Sequence, residues 1–366
     1  MTLRKRTNLF LMLAIGILLI AAAPSAAFAQ YTQVNLVSTN QPATPNQDPN
    51  LINPWGLAFF PNGPFWVSDA FSGHSTLYDH SGTPLPLVVT IPPAPSQPFG
   101  PIGFPTGIVA NPTSNFAISK NGNSGPALFL FATLDGTISG WNPNVDPTDA
   151  IIIVDNSNKT PFPASYTGLA IGRNSSGQNV IYAADSGNSL AASNNEIDIF
   201  DGQFNLIGHF SDPQAPSNMT VYGIQNVGGN LVVTYAPFTL LTGGAVDIFD
   251  TNGNLKRRLA SNGPEGPLEG PWGTAHAPSD FGPFSKALLI GDVDDGHINA
   301  FDLKSGKFLG ALTQRNGAEI AIPGLWGLQF GAGSAQNGDR NQLFFNAGVD
   351  NYQRGVFGMI TAIGTD

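Results

Sequence analysis

Asn53-Pro54-Trp55-Gly56-Leu57-Ala58 is one copy of a short segment that returns along the chain. Two other copies keep the Trp-Gly pair: Gly270-Pro271-Trp272-Gly273-Thr274-Ala275 and Leu325-Trp326-Gly327-Leu328. Three weaker copies keep the glycine: Phe104-Pro105-Thr106-Gly107-Ile108, Tyr166-Thr167-Gly168-Leu169-Ala170 and Val221-Tyr222-Gly223-Ile224. The glycines therefore stand at 56, 107, 168, 223, 273 and 327, and six copies spaced 50 to 61 residues apart indicate a repeat architecture.

Each copy is followed by further short runs rich in β-forming residues. A second run ends on a polar residue, as in Phe65-Trp66-Val67-Ser68-Asp69, and a third alternates, as in Ile197-Asp198-Ile199. A turn and a fourth run, such as Ile151-Ile152-Ile153-Val154, complete the unit. Four short antiparallel strands in each of six units predict an all-β, six-bladed β-propeller, formed as a single domain by residues 30–366.

The strand count also predicts how the ring closes. The last repeat supplies only three runs, whereas Tyr31-Thr32-Gln33-Val34-Asn35-Leu36-Val37 precedes the first repeat and has no partner. Pairing this N-terminal strand with the last blade would satisfy two exposed strand edges with backbone hydrogen bonds. The chain has no Cys, so we expect this pairing, and no disulfide, to fasten the two ends.

The N-terminal residues have the features of a signal peptide. Arg4, Lys5 and Arg6 form a positive region, Leu9 to Ala23 is apolar, and Ala27-Phe28-Ala29 is a small-x-small cleavage site. The alternative, a membrane anchor, is disfavoured because the apolar run is shorter than the roughly 20 residues of a spanning helix. We therefore expect residues 1–29 to be cleaved, and the mature protein to be secreted, extracellular or periplasmic, with no membrane span.

Charge excludes one class of partner. Removing residues 1–29 takes away three cations and leaves 12 Lys and Arg against 25 Asp and Glu, a formal charge of −13. Such a surface repels phosphate backbones, so nucleic acid is not an expected partner. We expect a monomer whose ligand is a protein or a glycan.

The repeats resemble NHL-type six-bladed propellers in their Trp-Gly-Leu-Ala and Tyr/Phe-Asp segments. The mature chain also resembles an uncharacterised family of secreted bacterial propellers over nearly all of residues 31–360. The matching segments are 53–58, 131–143 (Phe-Ala-Thr-Leu-Asp-Gly-Thr-Ile-Ser-Gly-Trp-Asn-Pro), 154–156, 232–236 and 324–328. The resemblance implies the fold and carries no known activity.

Propeller geometry predicts a candidate ligand site on one face, called here the top face. The start of the innermost strand and the loop after the second strand lie together around the central channel of such folds. This places ten candidate ligand-binding residues there: Trp55, Asp69, Thr133, Asp135, Asp185, Tyr235, Trp272, Asp292, Trp326 and Asn346. Oxygen ligands suit Ca²⁺, so Asp69, Asp185 and Asp292 are the candidate calcium ligands.

Two interpretations of these residues stay open. Aspartates at strand ends commonly accept hydrogen bonds from the following turn, and tryptophans commonly act as wedges between blades. No nucleophile elbow or paired histidines occur, and the strands start with Pro, Trp, Thr or Tyr. We therefore predict a non-enzymatic scaffold that binds a protein, peptide or glycan. The alternative is a calcium-dependent hydrolase or lactonase of the gluconolactonase-like type, which uses a top-face calcium.

Overall fold

The computed structural model describes residues 30–40, 44–187, 194–237, 242–263 and 266–364. The predicted signal peptide, 1–29, lies outside the described residues. The fold prediction is confirmed, because six antiparallel sheets, each built on four strands, form a ring. Within the described part of the chain, no helix is long and apolar enough to cross a bilayer.

Blades 1 to 5 use their strands in chain order from the channel outwards, whereas blade 6 adds the N-terminal strand outside its last one. Blade 1 contains β3 (Pro54–Ala58), β4 (Phe65–Asp69), β5 (His74–Tyr78) and β6 (Val89–Thr90); blade 2 contains β7 (Pro105–Ala110), β10 (Phe129–Thr133), β11 (Thr137–Trp141) and β12 (Ile151–Asp155). Blade 3 contains β13 (Tyr166–Arg173), β14 (Asn179–Asp185), β15 (Glu196–Asp201) and β16 (Leu206–Phe210); blade 4 contains β17 (Met219–Val227), β18 (Asn230–Pro237), β19 (Gly244–Phe249) and β20 (Leu255–Asn262). Blade 5 contains β21 (Pro271–His276), β22 (Leu288–Asp292), β23 (Ile298–Phe301) and β24 (Phe308–Ala311), with a 3-10 turn at Gly282–Phe284. Blade 6 contains β25 (Leu325–Phe330), β26 (Gln342–Val349), β27 (Arg354–Ala362) and the N-terminal β1 (Tyr31–Ser38), flanked by β2 (Asn46–Gln47).

The N-terminal strand closes the ring, as the strand count predicts. Strand β1 pairs antiparallel with β27 from Tyr31 opposite Ala362 to Ser38 opposite Val356. Tyr31 is buried, and its hydroxyl donates to the Phe281 carbonyl oxygen at 3.0 Å. The first and last strands of the propeller therefore belong to one sheet, which hydrogen bonds and packing hold together.

The glycine recurs once in each repeat because it lies where the inner strands of two neighbouring blades approach each other closely. A Cβ at Gly56 would lie 2.4 Å from the Thr106 carbonyl oxygen, and one at Gly273 would lie 2.1 Å from that of Trp326. A Cβ at Gly327 would meet the carbonyl oxygen of Trp55 at 2.6 Å, which completes the circle. Only a residue without a side chain fits so close an approach, so the repeated glycine sets the width of the channel.

Two elements differ from the sequence expectation. A hairpin of β8 (Ala117–Lys120) and β9 (Asn123–Pro126) is inserted between the first two strands of blade 2, where the glycine spacing is largest. The fourth strand of blade 1 is only Val89–Thr90, shorter than the predicted run of 87–91. Proline cannot donate to a sheet ladder, and Pro84, Pro86, Pro92 and Pro93 flank that strand.

Candidate functional site

The top face is built from the starts of the inner strands and the ends of the second strands. Pro54 pairs with Asp69, Tyr166 with Asp185, and Pro271 with Asp292. Strand-end aspartates and the tryptophan-bearing segments therefore occupy the same end of the ring. The structure places the predicted residues on one face, but it divides them into separate groups.

The three repeat tryptophans form one aromatic cluster. Trp55 stacks on Trp326 with ring centroids 3.5 Å apart, and Trp272 meets both edge-on at 5.9 and 5.8 Å. Tyr222 of blade 4 approaches Trp55 of blade 1 to 6.3 Å. Blades 1 and 4 lie opposite each other in a ring of six, so these rings meet across the axis and fill the top end of the channel.

Hydrogen bonds fix the orientation of two of these tryptophans. The indole Nε1–H of Trp326 donates to Asn53 Oδ1 at 3.0 Å, and that of Trp272 donates to the Thr167 carbonyl oxygen at 3.0 Å. Trp55 and Trp326 are only 6% and 2% exposed. Both rings therefore pack mainly within the protein, and Trp55 presents only its small exposed fraction to the surface.

Two of the three candidate calcium ligands are buried within their own blades. Asp69 Oδ2 accepts from the Thr76 hydroxyl at 2.7 Å, and Asp292 Oδ2 accepts from Asn299 Nδ2 at 2.7 Å. The second carboxyl oxygen of each makes no hydrogen bond with the described residues. Burial raises the pKa of both carboxyl groups well above the usual range. Each carboxyl group is therefore held by a neighbouring strand of its own blade, which is a structural role.

The remaining predicted polar residues are also enclosed. The hydroxyls of Thr133 and Thr137 lie 2.9 Å apart, and Asp135 Oδ2 accepts from the Ala94 N–H at 2.6 Å. Asn346 Nδ2 donates to the Gly56 carbonyl oxygen at 3.1 Å, linking blade 6 to blade 1. Tyr235 is 1% exposed. These four residues stabilise turns and blade contacts.

Asp185 belongs to a buried ion cluster that the sequence interpretation missed. Lys159 Nζ lies 3.5 Å from Asp185, 3.1 Å from Glu196 and 3.1 Å from Asp198. Within the described ranges, these three carboxylates are the only group of three potential metal ligands with all ligand atoms within 4.8 Å of one another. The lysine ammonium supplies the positive charge at their centre, so Asp185 is drawn into a different group from Asp69 and Asp292.

Asp198 and Asp247 correct the interpretation of the alternating third strands. The pattern in Ile197-Asp198-Ile199 and Val246-Asp247-Ile248 predicts half-buried strands, yet both aspartates are 0% exposed. Each blade is packed between two neighbours, so both faces of a third strand are covered. Asp247 is paired with Arg258 (Oδ1 to Nε, 2.8 Å), and burial raises its pKa to about 6.

A pocket of about 280 Å³ opens on the top face beside the aromatic cluster. Trp55, Tyr222, Leu134 and Phe99 contribute its apolar walls, and Phe99 is 50% exposed. Hydroxyl groups and small residues complete the lining: Ser165, Thr167, Ser186, Gly187, Thr220, Ala236 and Pro237. None of these lining residues carries a charge or a histidine.

The central channel is a second cavity, of about 370 Å³, lined by inner-strand residues of all six blades. Gln225 and Gln329 meet inside it, with Nε2 of the first 3.3 Å from Oε1 of the second. Thr274 donates to Gln225 Oε1 at 3.2 Å. Trp272 lines this channel and Trp55 lines the top-face pocket, so the tryptophan cluster contributes a wall to each cavity.

Most pocket residues were not predicted from the sequence. Trp55 was selected because it stands in the repeat, and Tyr222 stands at the equivalent position of the fourth copy. That equivalence was a usable signal for Tyr222. Phe99 comes from a loop outside the repeated segments, and no pattern in the sequence marks it. Leu134 stands between the predicted residues Thr133 and Asp135, but its apolar side chain was not among the candidates.

The fold and this site define a six-bladed β-propeller with an uncharged top-face pocket. No family model matches the chain. It belongs to the same family as two uncharacterized proteins of Acanthamoeba polyphaga mimivirus. Protein R648 is 33% identical over 338 residues, covering 88% of this chain and 77% of the viral protein. Protein L690 is 31% identical over 353 residues, covering 92% and 87%.

These relatives are viral, which contradicts the expectation of a bacterial family. Among solved structures, a glucose dehydrogenase aligns with a TM-score of 0.52 at 12% identity, covering 86% of this chain and 98% of that one. At this identity the likeness shows the propeller fold alone.

Proposed function

We propose that this protein is a non-enzymatic binding scaffold whose top-face pocket receives an uncharged apolar side chain of a protein or peptide partner. The carrying observation is the lining of the pocket, whose described residues combine aromatic walls with hydroxyl groups and carry no charge. An ionic ligand would lose its hydration there without gaining a partner. An aromatic or aliphatic side chain would bury apolar surface against Trp55, Phe99 and Tyr222.

The size and chemistry of the pocket narrow the ligand further. Its 280 Å³ lies at the lower end of the range for small-molecule sites, which suits one side chain better than a cofactor. Among the described residues, the lining contains neither carboxylates nor side-chain amides. Such planar polar groups commonly fix sugar hydroxyls through hydrogen bonds, so a peptide is favoured over a glycan.

What supports binding over calcium-dependent hydrolysis is the separation of the carboxylates. Asp69 and Asp292 bond within blades 1 and 5, and Asp185 bonds to Lys159 in blade 3. General-base catalysis requires a positioned carboxylate or histidine at the ligand, and the described residues of the pocket lining supply hydroxyl groups but neither of these. Export is part of the proposal and rests on residues 4–6, 9–23 and 27–29.

A titration with matched small probes tests the proposal. N-acetylphenylalaninamide is neutral, and N-acetylphenylalanine is the same molecule with a carboxylate. We expect the neutral probe to change tryptophan fluorescence saturably and the anion to bind at least about tenfold more weakly. Phe99→Ala should weaken the neutral probe. Phe71→Ala should not, because Phe71 is an exposed phenylalanine outside the pocket lining. Equal binding of both probes, or no effect of Phe99→Ala, would overturn the proposal.

A further inference from the structure

Positive charge is concentrated at one outer corner of this acidic protein. The corner comprises Lys256 and Arg257 at the start of β20 and Lys304 and Lys307 in the turn before β24, and we call it the basic corner. These are 4 of the 15 Lys and Arg in a chain of net charge −10. The two elements touch: a Cβ at Gly306 would lie 2.2 Å from the Leu259 carbonyl oxygen and 3.7 Å from Arg257 Nη1.

The four cations have no ion-pair partner within the described ranges. The Lys and Arg ion pairs there involve Lys120, Lys159, Arg258 and Arg354. Lys256 Nζ donates to Asn230 Oδ1 at 2.8 Å, and Arg257 donates to the Leu303 carbonyl oxygen. Nearby Asp250 and Asp302 accept hydrogen bonds from their own turns, at Asn252 N and Ser305 N. These turn hydrogen bonds, with a smaller contribution from Lys256 and Arg257, lower the pKa of both carboxyl groups. The two carboxylates offset part of the charge, and four cations against two anions leave the corner positive.

A pocket of about 310 Å³ opens beside two of these cations, Lys256 and Arg257. Val232 and Ile248 in its lining are buried and belong to the apolar cluster between blades 4 and 5. Lys256 and Arg257 line the same pocket, together with Val227, Asn230 and Leu303. An apolar interior beside two cations suits a ligand that carries an apolar group next to an acid.

Exposed apolar side chains extend this surface along both outer strands. Leu255, which precedes Lys256, is 40% exposed, and Phe308 and Leu309, which follow Lys307, are 41% and 43% exposed. Large apolar residues next to cations on the outer strands of neighbouring blades favour contact with an extended partner rather than a single small ion.

We propose that the basic corner binds an acidic peptide segment of a partner protein, with acidic side chains at the four cations and an apolar side chain in the pocket. Charge complementarity selects this occupant. An anionic bilayer is also negatively charged, like an acidic peptide, but its surface is broad. Binding it would bring the other, acidic surface of this protein, whose net charge is −10, close to the negative lipids. A short acidic segment can contact the basic corner without coming close to the rest of the acidic surface.

The test uses a labelled 12-residue peptide of alternating Glu and Leu and fluorescence anisotropy at low salt. A peptide with Lys for Glu and one with Ser for Leu are the ligand controls. Lys256→Glu/Lys307→Glu is the test variant. The matched control is Arg315→Glu/Arg340→Glu, which makes the same charge change at two arginines outside the corner that also lack ion pairs. Thermal melting of each variant verifies that it is folded.

We expect the Glu-Leu peptide to bind the wild-type protein and the control variant alike, and to bind the corner variant at least about tenfold more weakly. Raising the salt concentration should weaken binding, because the cations are exposed. Either control peptide should bind poorly. Equal affinity for wild type and the corner variant, absence of binding, or stronger association with vesicles of equal phosphatidylcholine and phosphatidylglycerol would each overturn the proposal.

Discussion

The indole of Trp326 in the last blade lies parallel to that of Trp55 in the first, with centroids 3.5 Å apart and planes 16° from parallel. Trp326 also donates to Asn53 Oδ1, on the chain leading into blade 1. The junction that closes the ring is thus also the floor of the top-face site. A change that detaches β1 from the last blade should therefore also disrupt the top-face site.

Val37 provides a direct test of that coupling. It is 0% exposed on β1, whereas Val34 on the same strand is 39% exposed. We expect Val37→Asp to destabilise the protein by more than about 3 kcal/mol, because it buries a charge in the junction. Val34→Asp should change stability by less than about 0.5 kcal/mol. Urea denaturation followed by tryptophan fluorescence measures both variants. Equal stabilities would show that the N-terminal strand does not hold the ring.

Buried carboxyl groups predict an unusual dependence of stability on pH. Burial raises the pKa of Asp69 and Asp292 in the folded protein above the unfolded value, so the folded state binds more protons between those two values. The stability that these groups contribute is complete below the unfolded pKa and falls as pH rises towards the folded pKa. Asp247, with a folded pKa of about 6, adds to the same trend between about pH 4 and 6. The exposed aspartates in the turns have lowered pKa values, so their contribution to stability changes only below this pH range.

Asparagine has nearly the shape of a protonated aspartate and no charge. Asp→Asn substitutions therefore test whether these carboxyl groups are protonated in the folded protein. We expect Asp292→Asn and Asp69→Asn to match the wild type near pH 4.5 and to exceed its stability near pH 7. The measurement is the urea midpoint at both pH values. A loss of stability at pH 7 in both variants would show that these carboxylates are ionised and bonded in the folded protein.

Lys159 should act as the built-in cation of the carboxylates around Asp185. Lys159→Ala leaves three carboxylates within 4.8 Å of one another, two of them fully buried, without a counter-charge. We expect a loss of about 2 kcal/mol or more at pH 7, since removing one partner of a buried pair leaves the other uncompensated. Calcium should recover part of that loss by mass action in the variant only.

The outcome for calcium in the wild type is the control for that experiment. The melting temperature of the wild-type protein should be the same with calcium and with chelator, because Lys159 occupies the position that a cation would take. Lys120→Ala removes a more exposed ion pair, with Asp146 and Asp149, and should gain no calcium response. If calcium raises the melting temperature of the wild type, and Asp185→Asn or Asp292→Asn removes that increase, the result would instead support a metal-dependent hydrolase.

The sequence allowed the ring, the blade count and the closing strand to be predicted, because each rests on a local pattern that repeats. Gly56 to Gly327 and the unpaired run at Tyr31 are such patterns. The site was less predictable. Asp198 stands in an alternating strand, and only the packing of neighbouring blades shows that it is buried beside Lys159. Phe99 and Leu134 reach the pocket from loops whose positions depend on the finished ring.

The five tryptophan indole N–H signals in a ¹⁵N NMR spectrum give the most direct test of the proposed site. Trp55 lines the pocket, and its Nε1–H has no hydrogen-bond partner in the described part of the chain. Trp66 and Trp141 pack against each other, with centroids 4.8 Å apart, in a cluster that lines no part of the pocket. On addition of N-acetylphenylalaninamide, we predict that the Trp55 signal shifts with saturation while those of Trp66 and Trp141 stay fixed. An unmoved Trp55 signal at saturating probe, or equal shifts of all five, would contradict a binding function for the top-face pocket.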